Sequence, residues 1–106
     1  FSDDDLAKYN SLKAELYPKA ADAYYTKGKS DFLSKNMTEA KTDLEAALKY
    51  ASNENFVDDI YYYLGQIAEG ENDTASAKKY YNKIISDYPD SNQIGNARNA
   101  LEGLKE

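Results

Sequence analysis

The chain contains no cysteine, no histidine and no tryptophan. Without cysteine there is no disulfide and no thiolate metal site, and no thiol reports on the redox compartment. Without histidine the commonest general base and the commonest transition-metal ligand are both missing. Arginine occurs only at Arg98 and the formal net charge is −6. No basic surface is therefore available to neutralise phosphates or anionic lipid, and neither nucleic acid nor direct membrane contact is expected. No apolar run approaches the roughly 20 residues of a spanning helix, and no signal-peptide pattern is present. A Gly-rich phosphate loop, a nucleophile elbow and a paired-carboxylate constellation are also missing, so the expectation is a non-catalytic protein with no cofactor and no metal. The chain starts at Phe1 rather than methionine, which reads as a processed or excised piece of something longer.

What the chain does have is helical periodicity. Its 106 residues are 42% hydrophobic and 30% charged, with both signs interleaved. That suits one thin-cored folded domain better than a disordered tail. The two prolines, Pro18 and Pro89, each follow a tyrosine, and between them apolar residues recur at helical intervals with no alternating stretch. The class is all-α, with six helices.

The first helix carries Leu6, Tyr9, Leu12 and Leu16 and is expected to end before Pro18, which would open the second. The second runs to about Lys35. Asn36 should cap the third with its amide while Glu39 reaches back, and that helix runs to about Ala51. "SNENF" reads as a turn, with Asn55 capping a fourth helix from Phe56 to about Glu69. Gly70 should close it in the left-handed conformation and Asp73 should cap the fifth, which stops before Pro89. Ser91 or Asn92 starts a sixth bearing Ile94, Ala97, Leu101 and Leu104. "DDD" at 3–5 and "ENFVDD" suit helix starts.

Ala40, Leu44, Ala47, Leu48 and Ala51 are repeated 37 residues later by Ala77, Tyr81, Ile84, Ile85 and Tyr88. Gly28 with Gly65 and Tyr24 with Tyr61 keep the same interval. Recurrence of one buried pattern on successive helices is the signature of a helical solenoid.

Residues 58–91, with Tyr61, Leu64, Gly65, Ala77, Tyr81 and Pro89 in place, resemble the tetratricopeptide repeat. Residues 21–54 resemble a weaker copy, in which Lys27 replaces the expected Leu, Asp31 an aromatic and Ser52 the proline. The family unit is 34 residues, so about three are inserted near "SNENFVDD". Ala68 also departs from the family, which often has an aromatic there. The resemblance implies a short right-handed solenoid of about six antiparallel helices. In it residues 1–17 form a preceding helix or partial repeat, 21–54 a degenerate repeat, 58–91 a good one and 92–106 a capping helix. Gly65 should lie close to Ala77, and Gly28 to Ala40. Tyr24, Tyr61, Tyr81 and Tyr88 should be largely core.

By residue-by-residue transfer, the concave face that binds peptides in this family should show Asp22, Tyr25, Lys29 and Phe32, then Asp59, Tyr62, Tyr63, Gln66 and Glu69. The peptide-binding candidates are Tyr25, Lys29, Phe32, Tyr62, Tyr63, Gln66 and Glu69. Tyr25, Lys29, Tyr63 and Gln66 do not complete the basic clamp with which chaperone-binding members grip a terminal carboxylate. The implied function is recognition of a protein or peptide partner. The alternative is a structural spacer or self-association module, a homo-oligomer with an inert groove. "DYPDS" followed by a helix with small residues is similar to repeats of bacterial cell-envelope proteins, lipoproteins among them, and tilts the expected setting toward the extracytoplasmic side. "EGEND" has acidic residues at alternate places but lacks the glycine and closing glutamate of a calcium loop. "NMT" and "NDT" match the glycosylation triplet and coincide with expected caps.

Overall fold

A computed structural model describes residues 3–51 and 55–104; the side chains of residues 3–5 and 7–15 lie outside that description. Five helices follow in order: α1 (Asp3–Leu33), α2 (Met37–Tyr50), α3 (Val57–Gly70), α4 (Thr74–Asp87) and α5 (Ile94–Gly103), with no strand among the described residues. Contacts run between successive helices, α1 with α2, α2 with α3, α3 with α4 and α4 with α5, and α1 also touches α3. The result is an elongated stack of 56 × 29 × 22 Å.

The expected break at Pro18 does not occur. α1 runs through it as one helix, so the first two expected helices are one. Pro18 removes a single backbone bond, to the carbonyl of Ala14. The flanking "KAEL" and "KAADA" segments are strong helix formers that keep the helix going on both sides. Leu6 and Leu16 of the expected apolar stripe are 51% and 54% exposed; Tyr9 and Leu12 fall outside the described side chains. α2 stops at Tyr50, whose ring meets that of Tyr17 edge-on at 5.0 Å.

The turns α1–α2 and α3–α4 are built alike. The N–H of Asn36 donates to the carbonyl of Asp31 (2.8 Å) and that of Lys35 to Phe32 (3.0 Å). In the second turn Asp73 donates to Ala68 (2.9 Å) and Asn72 to Glu69 (3.0 Å). Lys35 (φ 66°) and Asn72 (φ 61°) take the left-handed conformation that this closure needs. Gly70 does not take it. It remains helical, because the turn is placed two residues later, where a glycine is not obligatory but asparagine is tolerated. Asn36 stands at the N-cap of α2 without a side-chain bond, so the expected capping box is not made. Phe56, not Asn55, occupies the N-cap of α3. Asp73 caps α4 as expected, accepting from the N–H of Ser76 at 3.1 Å. Hydrogen bonding by Ser76 holds the Asp73 carboxyl below the usual range.

Within each hairpin a glycine admits a bulky neighbour. A Cβ at Gly28 would lie 2.7 Å from Cγ of Leu44, and one at Gly65 would lie 2.5 Å from Cε1 of Tyr81. These nearest side chains stand one turn beyond Ala40 and Ala77, which are themselves fully buried. Ala40, Leu44, Ala47, Ile60, Leu64 and Ile67 form one core cluster, and Ala68, Ala77, Tyr81, Ile84 and Ala97 a second.

The departures of the first repeat are coupled. Lys27 Nζ lies 3.1 Å from Asp31 and 2.8 Å from Asp43, bridging α1 to α2. These residues stand 37 before Leu64, Ala68 and Tyr80, so an ionic trio occupies the place of an apolar one. The expectation that Tyr24 is core fails for a related reason. Tyr61 is half-buried beside the rings of Tyr80 and Tyr88 at 6.3 and 6.2 Å. Tyr24 has Asp43 and Ala51 at those positions and is 37% exposed, stacked on Tyr50. Of the expected insertion near "SNENFVDD", residues 52–54 lie outside the described residues.

Candidate interaction face

Helix α3 turns about 100° per residue, which puts Ile60, Leu64, Ile67 and Ala68 on one buried arc. Asp59, Tyr62, Tyr63 and Gln66 fall on the opposite arc and are half-buried, flanked by α1 and α5. Aromatic rings join this face to α1. Tyr25 lies flat on Phe56, with centroids 4.6 Å apart and planes 4° from parallel. Phe32 meets Tyr63 at 4.8 Å.

A polar row crosses the helices at the same level. The Tyr25 hydroxyl donates to Asp59 Oδ2 at 3.5 Å, and Gln93 Nε2, at the head of α5, donates to Asp59 Oδ1 at 2.8 Å. Burial, and then the Asp59 carboxylate, push the Tyr25 hydroxyl up to about 12. Burial and the same carboxylate also raise Tyr63. Farther along α3, Gln66 Nε2 donates to the hydroxyls of Tyr62 (3.1 Å) and Tyr81 (3.4 Å). The Tyr81 hydroxyl donates to Glu69. Burial, followed by that hydrogen bond, raises Tyr81 well above an ordinary phenol. Next to Tyr25, a hollow of about 410 Å³ is lined by Thr26, Lys29, Ser30, Leu33 and Ser34.

The structure brings together Tyr25, Phe32 and Tyr63, and separately Tyr62, Gln66 and Glu69 around Tyr81. Lys29 is exposed at the hollow and Asp22 is exposed on α1. Tyr81 is fully buried core, as expected, and its hydroxyl bonds Gln66 and Glu69 of the face from beneath. Phe56 and Gln93 do not stand among the expected face residues. The signal that could have found Gln93 is spacing: Tyr25, Asp59 and Gln93 are separated by 34 and 34 residues, the repeat unit itself. Ser91, expected only as a helix start, does more. Its Oγ accepts from the N–H of Gln93 at 2.9 Å and donates to Asp58, tying the α4–α5 turn to α3.

The acidic "EGEND" residues have other partners. Glu71 pairs with Lys41 at 3.1 Å and Asp73 caps α4. Among the described residues no cluster of three or more His, Cys, Asp or Glu could hold a metal, and no helix is long and apolar enough to cross a membrane.

Paired helices recurring with matching glycine contacts and matching turns define an α-helical repeat protein. The tetratricopeptide repeat models match residues 21–54 and 59–91, and the chain belongs to that family. Such repeats generally mediate protein–protein interaction and are typically non-catalytic. No curated protein and no solved structure matches the chain significantly.

Proposed function

We propose that this chain is a non-catalytic module that holds an extended segment of a protein partner against the shared face of α1 and α3. Tyr25, Lys29, Phe32, Tyr62, Tyr63, Gln66 and Glu69 would make the contacts. The observation that carries the reading is the continuity of the face: rings and hydrogen bonds tie α1, α3 and α5 into one half-buried aromatic surface. Half-buried tyrosines offer large contact area at small entropic cost, and their positions are already fixed by neighbours. The hollow beside Tyr25, with Leu33 69% exposed at its edge, supplies a place for an apolar partner side chain.

Peptides selected by display against the folded chain test the proposal. The double variant Tyr25→Ala/Tyr62→Ala, checked for helicity by circular dichroism, should lose their binding by at least about tenfold, the effect of removing one or two anchors. Undiminished binding by a folded double variant would remove the face from the function.

Leu6 and Leu16, both about half exposed on α1, favour self-association as a second reading. A solution mass that rises with concentration would support it, and a monomer at high concentration would end it. The likeness of "DYPDS" to envelope proteins favours an extracytoplasmic setting for either reading.

A further inference from the structure

Among the described residues the ion pairs are made by Lys27, Lys41 and Lys83, and they lie between α1 and α2, between α2 and the α3–α4 turn, and along α4. None of them reaches Asp59 or Glu69. Among the described residues those two carboxylates, both half-buried, accept only from neutral donors: the Tyr25 hydroxyl and Gln93 amide for Asp59, the Tyr81 hydroxyl for Glu69. Neutral donors orient a carboxylate without cancelling its charge, so Asp59 and Glu69 keep theirs, and together they outweigh Lys29, the one cation among the proposed contact residues. Tyrosine rings next to carboxylates add their negative π-faces to the same field.

Resting on the reading of this face given above, we infer that its occupant is a cationic extended peptide, with lysine or arginine side chains meeting Asp59 and Glu69 between the rings of Tyr62 and Tyr63. The two carboxylates are ten residues apart on α3, about 15 Å along a helix. A strand-like peptide crossing that length presents same-side residues about 7 Å apart, so cations four residues apart would serve both sites. An acidic segment is disfavoured by the same charges, in keeping with the incomplete basic clamp.

Two fluorescein-labelled peptides test this on the full chain: one alternating Lys and Thr, one alternating Glu and Thr, read by anisotropy and by amide shifts in NMR. The expected result is binding of the Lys peptide alone, with shifts at Asp59, Tyr62, Tyr63 and Gln66. Its affinity should weaken with salt and fall about tenfold or more in Asp59→Asn/Glu69→Gln. The charge-matched Glu39→Gln/Glu45→Gln on α2 should leave it unchanged. Equal weakening in both double variants would show attraction to net charge only and overturn the inference. Equal or tighter binding of the Glu peptide would overturn it as well. If neither charged peptide binds while display-selected peptides still depend on Tyr25 and Tyr62, the inference falls and the face stands. If those peptides are also insensitive, both fall.

Discussion

A methyl group at Gly65 would sit 2.5 Å from Cε1 of Tyr81, and one at Gly28 would sit 2.7 Å from Cγ of Leu44. Real Cβ atoms do not approach so closely, so either substitution forces the helices of a hairpin apart or turns a fully buried side chain. At Gly70 and Gly95 a methyl group would meet nothing within 4 Å, and neither residue has a positive φ. Gly65→Ala should therefore destabilise by about 1–3 kcal/mol, as overpacking does. Gly70→Ala and Gly95→Ala should each stabilise by about 0.5–1 kcal/mol through helix propensity. Urea denaturation of the three variants checks the contrast; equal effects would contradict the close crossing. The same residue scale shows what the sequence made legible. The 37-residue interval located both glycines and a close crossing in the neighbourhood of Ala40 and Ala77, but did not show which side chains press on the glycines. The nearest side chains are the large ones, Leu44 and Tyr81, for which the glycines leave room.

Between elements, the tyrosine hydroxyls hold α3 to its neighbours in their protonated form. Tyr25 is raised to about 12 and Tyr81 is raised further, chiefly by burial and then by Asp59 and Glu69. A phenol whose folded value exceeds its unfolded value near 10 contributes stability that is whole below pH 10 and is lost as pH climbs through the folded value. Helicity should thus persist at pH 9 and fall between about pH 10 and 12, with the phenolate absorbance rising in step. Tyr81→Phe should shift the fall to higher pH. Uniform titration near 10 with unchanged helicity would contradict the network. Helix positions were mostly legible from periodicity and from Asp73 and Pro89. The join at Pro18 was not, because a proline suited to a helix start is also tolerated inside a helix when strong formers flank it. The left-handed closures at Lys35 and Asn72 were hidden because neither is a glycine, the usual signal, and the glycine near the second closure stands two residues before it.

For the whole molecule, the face on α1 and α3 exists only if the helices form an open stack rather than a closed bundle. Family resemblance supplied that architecture and the candidate face. Which side chains on the face hold one another depended on packing across 34 residues, which single-helix periodicity does not report. The stack has a Cα radius of gyration of 15.8 Å, against about 13 Å for a compact globule of this length. Small-angle X-ray scattering on the monomer measures it directly. A value close to 15.8 Å, independent of concentration, is the expected result; a value near 13 Å, the compact limit, would mean a closed bundle with no open face and would contradict the account.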